Sequence, residues 1–309
     1  MNILIIGGCG YVGSSLVQHL SSFPEHTIQT VDLEWFGNVN SKNNLNYDYI
    51  NIEPDFLAKH DCVILLAGHS SVKMCDSKLS SYNNNVRNFI NLVHNLTPNQ
   101  KFIYASSSSV YGNTPETSIS EDNLDFSPVN YYDMTKLHID HIAQLSGLDY
   151  YGLRFGTVNG PAPHTRMDVM INAMVNTAKT KGEIHVFNPD TKRSILGIND
   201  LCRAVSAIIN EPTPNPGIYN LASFTSTSGE IATAVGEVAQ VPVVNKDTPA
   251  VITNEKLEKK TYNFGVSTLK FEKTYNFKFN DTVTSITESM LENYNGCVGT
   301  HRSTPMPYN

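Results

Sequence analysis

The segment Asn2-Ile-Leu-Ile-Ile6 runs straight into Gly7-Gly8-Cys9-Gly10-Tyr11-Val12-Gly13, and this junction constrains the fold more than any other feature of the chain. Successive apolar, mostly β-branched residues suit a strand buried on both faces, as in a parallel sheet. The glycines then allow a tight turn into a helix over Gly10 to Ser21, whose first N–H groups carry partial positive charge and suit an anion. Two glycine patterns fit, GxGxxG through Gly8, Gly10 and Gly13 and GxxGxxG through Gly7, Gly10 and Gly13. Either brings the backbone, including Tyr11 and Val12, up to the pyrophosphate of a dinucleotide. A second strand, Thr27 to Val31, ends in Asp32 about 20 residues beyond the glycines, where a carboxylate accepts bonds from the adenosine ribose and repels a 2′-phosphate. The pattern points to NAD rather than NADP.

The same alternation continues. Cys62 to Leu66, Lys101 to Ala105 and Tyr150 to Arg154 read as strands, and Tyr82 to Leu96 and Asn130 to Leu145 carry apolar residues at helical spacing. Strand, helix, strand in repetition predicts an α/β fold, a doubly wound parallel sheet with ligands beyond the carboxyl ends of its strands. After about Arg154 a loop rich in Gly, Pro and His leads into shorter elements. We therefore expect a dinucleotide-binding domain over 1–155, to which 194–210 returns, a smaller substrate-binding domain from 156–193 and 211–295, and a tail over 296–309.

Tyr132 and Lys136 are one turn apart on the predicted Asn130 to Leu145 helix, so phenol and ammonium share a face. A neighbouring cation favours phenolate and brings a tyrosine towards service as a base. Upstream, the strand Phe102-Ile-Tyr-Ala runs into Ser106-Ser107-Ser108-Ser109 at the edge where ligands bind. A serine there is suited to hold a substrate hydroxyl; spacing alone does not say which serine faces inward, and a solvated turn is the plain alternative.

These motifs, in this order, resemble the extended short-chain dehydrogenase/reductases, in particular the sugar-nucleotide epimerase/dehydratase group. The resemblance rests on Gly7 to Gly13, Asp32, Leu66-Ala67-Gly68, Asn85-Val86, Ser107 with Val110-Tyr111-Gly112, Tyr132 with Lys136, Leu153-Arg154, Gly160-Pro161, and Arg193 with Asp200. It implies a Rossmann-type sheet with a smaller C-terminal substrate domain, and NAD held by the glycine turn, Asp32, Asn51, Ile52, Leu66, Ala67, Gly68, Asn85, Tyr132 and Lys136. It also implies Ser107, Tyr132 and Lys136 as catalytic residues. Asn51 stands where the family usually has Asp, and Thr157 where it often has Asn. Ser107, Ser108, Thr157, Arg166 and Arg193 are the expected substrate contacts, with Arg193 the main diphosphate anchor. A homodimer through a four-helix bundle, made from the helices at 82–96 and 130–145, is implied as well.

The reading is an NAD-dependent epimerase of a nucleotide-diphosphate sugar, acting at C4 through a transient 4-keto intermediate. The family's dehydratases place Asp-Glu directly after the catalytic Ser/Thr and its decarboxylases a Glu two residues after it, whereas this chain has Ser108 and Ser109. A 4-ketoreductase, a dehydratase, a decarboxylase and a non-catalytic NAD-binding protein of the same fold are the rivals. The formal charge of −7 over 309 residues disfavours nucleic acid, and five scattered cysteines without a CxxC pair disfavour zinc or a disulfide framework. With no visible secretion signal or membrane anchor, a cytoplasmic enzyme without a metal is expected.

Overall fold

In a computed structural model, which describes residues 1–39, 42–75, 78–114, 118–246 and 263–300, strand and helix alternate through the first half of the chain. Strand β1 (Asn2–Ile6) leads into α1 (Tyr11–Leu20), β2 (Thr27–Val31), a short β3 (Asn44–Leu45), α2 (Pro54–Leu57) and β4 (Cys62–Leu65). Helices α3 (Lys78–Tyr82) and α4 (Asn88–Asn95) precede β5 (Lys101–Ser107), α5 (Tyr131–Leu145) and β6 (Asp149–Phe155). Next come β7 (Thr157–Asn159), α6 (Met170–Lys181), β8 (Ile184–Phe187), β9 (Lys192–Gly197), α7 (Ile198–Asn210), β10 (Gly217–Leu221) and β11 (Phe224–Thr227). The chain continues with α8 (Ser228–Ala239), β12 (Val243–Lys246), α9 (Leu269–Thr274), α10 (Val283–Glu292) and α11 (Tyr294–Thr300).

Seven parallel strands form the main sheet in the order β10-β6-β5-β4-β1-β2-β3. The order runs outward in both directions from β1, so the crevice at the carboxyl ends of β1 and β4 is the switch point where such sheets bind ligands. Along β1, Ile3 and Ile5 face a core shared with α1 and α7, while Leu4 and Ile6 face the opposite core under α4 and α5. Burial on both sides explains the unbroken apolar run. A third core gathers α6, α8 and α10 over β8 and β9, with β11-β9-β7 and β12-β8 as small sheets beside it.

The structure corrects the sequence reading in four places. Strand β10 lies in the 211–295 stretch expected in the smaller domain, yet it pairs with β6 and closes the main sheet. Strand β5 runs two residues past Ala105, so Ser106 and Ser107 belong to the strand. The single helix expected over 82–96 is interrupted by a π-helical stretch, Asn83–Arg87; asparagines contribute no apolar periodicity, so the extra residue leaves no trace in the pattern. The expected tail begins inside α11, where Cys297 is buried against the third core, and 301–309 lie outside the described residues.

Helix α5 is tied to the sheet by a buried polar network. Arg154 Nε on β6 donates to Asp140 Oδ2 on α5 at 2.8 Å, with both side chains at most 3% exposed. Tyr104 on β5 donates to the other Asp140 oxygen at 3.1 Å, and Arg154 Nη1 donates to the Tyr111 hydroxyl at 2.7 Å, which in turn donates to Asn220 on β10. Removing one member of a buried pair strands the other charge. Asp140→Ala is therefore expected to lower stability to urea by about 3–5 kcal/mol, and Asp140→Leu with Arg154→Met to recover much of that loss. A loss below about 1 kcal/mol for the single variant, the level of an exposed pair, would contradict this role.

Candidate active site

The glycine turn joins β1 to α1 at the switch point. Gly7 has φ +93°, a conformation glycine adopts without strain, and a Cβ there would meet the Ala67 backbone nitrogen at 2.5 Å. A Cβ at Gly13 would fall onto the Gly7 carbonyl, whereas at Gly10 the nearest atom is that carbonyl at 3.5 Å. Turn, open approach and close helix packing thus fall on Gly7, Gly10 and Gly13, which selects GxxGxxG from the two patterns; Gly8 instead packs on the Thr30 side chain. The N-terminus of α1 has no side-chain cap and no acidic residue in its first turn, so its N–H groups and dipole suit a phosphate. Asp32 lies beside it, accepting Cys9 N–H at 2.9 Å and Glu34 N–H at 2.7 Å. Burial raises its carboxyl above the usual range, and these two donors oppose the rise.

The neighbouring expected cofactor residues fall into place unequally. Leu66 and Ala67 N–H both donate to the Ile6 carbonyl, which brings the end of β4 against the turn. Gly68 follows with φ +145°. Asn51 is exposed at the end of a short 3₁₀ turn, while the Ile52 side chain is buried in the core. Tyr11 is buried, its hydroxyl donating to the Gly160 carbonyl at 2.7 Å, so its side chain joins α1 to the second lobe. Asn85 sits in the π stretch with Oδ1 2.8 Å from His69 N and Nδ2 3.1 Å from both the His69 carbonyl and Thr135 Oγ1. Both ends of its amide are engaged in holding the turn after Gly68.

At the end of β5 the side chains alternate. Ser106 Oγ is buried with no hydrogen-bond partner among the described residues, while Ser107 lies within hydrogen-bonding reach of the Tyr132 phenol. Ser108, expected to touch substrate, is 1% exposed and donates to the Phe155 carbonyl at 2.9 Å, so its hydroxyl belongs to the sheet. Two residues that the sequence reading missed complete the arrangement. Ser109 Oγ lies 2.8 Å from Ser107 Oγ and donates to Asp133 Oδ1 at 2.6 Å.

Lys136 Nζ donates to the Ala105 carbonyl at 2.7 Å and stands 5.8 Å from the Tyr132 ring centre. Burial pushes the lysine down to about 8, with Asp140 opposing. The expectation that Lys136 brings Tyr132 towards neutrality is corrected: burial dominates and pushes the phenol up to about 12, opposed first by the Ser107 hydroxyl, which favours the phenolate, and then by the Arg166 cation. Arg166 grips Asp168 with two bonds of 3.0 and 2.8 Å. Arg193, on β9, donates to the Lys192 carbonyl and lies 5.2 Å over the Phe264 ring, with no carboxylate within salt-bridge distance among the described residues. Burial lowers its basicity. Arg193 is two residues before Ile195, which pairs with Thr157 at the start of β7.

The sheet order, the glycine turn and the crevice define a Rossmann-type dinucleotide-binding protein. The chain belongs to the NAD dependent epimerase/dehydratase family, whose sequence profile matches residues 3–222. It is 29% identical over 246 residues to Protein CapI of Staphylococcus aureus, covering 70% of this chain and 71% of that protein. It is 28% identical over 262 residues to ADP-L-glycero-D-manno-heptose-6-epimerase of Brachyspira hyodysenteriae, covering 76% of this chain and 80% of that one. Among solved structures it is similar in fold to UDP-glucuronic acid 4-epimerase from Bacillus cereus in complex with UDP-glucuronic acid and NAD, with a TM-score of 0.82 at 20% identity over 97% of this chain and 100% of that one.

The geometry fits NAD: a cradle that a Cβ would fill, an uncapped helix N-terminus and a carboxylate beside it. In titrations of nucleotide-stripped protein we expect NAD to bind more tightly than NADP, and Asp32→Ser to narrow the gap. Equal affinities in the unsubstituted protein would remove Asp32 from the ribose site.

Proposed function

We propose that this protein is an NAD-dependent epimerase of a nucleotide-diphosphate sugar, acting at C4 through a transient 4-keto sugar. The observation that carries the reading is Tyr132 within reach of Ser107 at the carboxyl end of β5, with Lys136 one helical turn along. Membership of the family and the nucleotide-sugar epimerases among its relatives support it. In this reading Tyr132 takes the proton of the sugar hydroxyl and Ser107 holds the same oxygen. Lys136, held by the Ala105 carbonyl, binds the nicotinamide ribose. NAD, when bound, supplies the acceptor and then the donor of the C4 hydride. Arg193 keeps the diphosphate while the keto sugar turns, and return of the hydride to the other face gives the epimer without net redox change.

Elimination and decarboxylation need a further acid or base at the sugar. Positions 108 and 109 carry serines. The nearby carboxylate, Asp133, is 2% exposed and bonded to Ser109, Asn130 and the Val129 N–H, so it faces the start of α5 rather than the crevice. This supports epimerisation over its rivals within the family. We also propose a homodimer through the faces of α3 to α5, where Leu79 and Leu145 are 72% and 89% exposed, and action in the cytoplasm, where five buried thiols stay reduced. Among the described residues no helix is long and apolar enough to cross a membrane.

A nucleotide sugar deuterated at C4 is expected to interconvert with its epimer without added NADH, keeping the label and taking no solvent deuterium at C5. A 4-keto-6-deoxy product, carbon dioxide release, or stoichiometric use of NADH would overturn the proposal. Tyr132→Phe should lower kcat by about 10²–10⁴, and Ser107→Ala should cost more activity than Ser106→Ala. Arg193→Ala should raise KM more than it lowers kcat, because a diphosphate anchor acts equally on ground and transition states. An unchanged KM would make Arg193 structural.

A further inference from the structure

The turn after β2 places a second carboxylate beside the adenosine ribose site. Glu34 follows Asp32 by two residues, and its N–H is the donor that Asp32 Oδ1 accepts at 2.7 Å. A bond from Gly37 N–H to the Glu34 carbonyl at 2.8 Å closes the turn. Glu34 has φ +54°, in the left-handed region that glycine or asparagine occupies with less strain. The backbone there suits a smaller residue, so the reason for a glutamate lies in its side chain. That side chain is caught by three amides. Asn38 Nδ2 donates to Oε1 at 3.0 Å, Asn44 Nδ2 to the same oxygen at 2.8 Å, and Asn46 Nδ2 to Oε2 at 3.2 Å. Asn44 also donates to the Asp32 carbonyl at 3.3 Å and accepts from Thr30 Oγ1 at 2.9 Å, so the amide that fixes Glu34 is itself fixed to the end of β2.

Amides are neutral, and among the described residues no lysine, arginine or histidine lies within salt-bridge distance of Asp32 or Glu34. The Glu34 charge is therefore fixed in place without being cancelled. It reaches Asp32: burial is the main reason that the Asp32 carboxyl titrates above the usual range, and the Glu34 charge adds to the rise. We propose that Glu34 is a second specificity residue for the cofactor, whose amide-held carboxylate repels the 2′-phosphate of NADP. Asp32 both accepts a ribose hydroxyl and repels the phosphate. Glu34 has three of its roughly four acceptor positions filled by the asparagines, so it adds repulsion and little affinity for NAD. With two carboxylates in separate duties, replacing Asp32 alone narrows the preference for NAD without abolishing it.

The two duties separate in titrations of nucleotide-stripped protein with NAD and with NADP, read by calorimetry and by the fluorescence of Trp35, the only tryptophan of the chain. Glu34→Gln keeps the shape of the side chain and an oxygen for Asn38 and Asn44, and it removes the charge. We expect it to leave the NAD affinity within about twofold and to raise the NADP affinity about three- to tenfold at low ionic strength, the scale of one carboxylate acting on a phosphate through several ångströms of solvent. That gain should fade as NaCl rises from about 0.02 to about 0.5 M, and Glu34→Lys should exceed it. Asp32→Ser, by contrast, should weaken NAD binding as well. The double variant, Asp32→Ser with Glu34→Gln, should bring the two affinities together. Equal changes in NAD and NADP affinity in Glu34→Gln would make the residue a support for the turn and overturn the proposal. So would the absence of any NADP gain at low salt, or a gain that persists at high salt, which would trace to lost hydrogen bonds and not to charge. No sugar is present, so these outcomes are independent of whether the protein epimerises a nucleotide sugar.

Discussion

The buried pair between Arg154 and Asp140 decides where helix α5 lies, and α5 carries Tyr132, Asp133 and Lys136. Asp140 is one turn beyond Lys136, so the same carboxylate that grips β6 and the Tyr104 hydroxyl of β5 also raises the basicity of a lysine that burial depresses. A hydrophobic pair would hold the helix as firmly. It would not orient three strands at once, and it would leave Lys136 without the opposing charge. The carbonyl of Ala105 completes the attachment, so the ammonium is fixed at the last turns of β5, beside the serines.

A second set of buried bonds couples the glycine turn to the smaller lobe. Tyr11 reaches the Gly160 carbonyl, Asn172 bonds both of these groups, and Ser14 Oγ accepts His164 N–H at 3.2 Å. The loop between β7 and α6, which carries Arg166, is thereby held to the first turns of α1. A ligand at the helix N-terminus and a ligand near Arg166 share one rigid wall, which suits a reaction whose cofactor and substrate must keep a fixed separation.

Much of this was legible from residues alone. The buried run Ile3 to Ile6, the glycine spacing and Asp32 specify β1, the turn and the end of β2, because burial on both faces and close backbone approach leave few residue types possible. Tyr132 and Lys136 were legible because a helix fixes their mutual direction. The serines were harder. Ser106 and Ser107 alternate as strand residues, but a 3₁₀ turn over Ser108–Tyr111 then resets the alternation and brings Ser109 back beside Ser107. Asp133 points away from Tyr132 on any helical wheel, and its bond to Ser109 exists only because α5 starts against the end of β5. The ionisation of Tyr132 is tertiary too: the i+4 lysine is visible in sequence, while the burial that outweighs it is not.

The central claim is that one chain oxidises and re-reduces the same carbon of a bound nucleotide sugar. The most direct measurement is a proton NMR time course started separately from each member of a C4-epimeric pair of nucleotide-diphosphate sugars that the protein binds, with enzyme and NAD and no reductant. The account predicts that both reactions converge on one mixture of the two epimers with the nicotinamide still oxidised. Convergence on any third sugar, or consumption that stops when the NAD is used up, would contradict it.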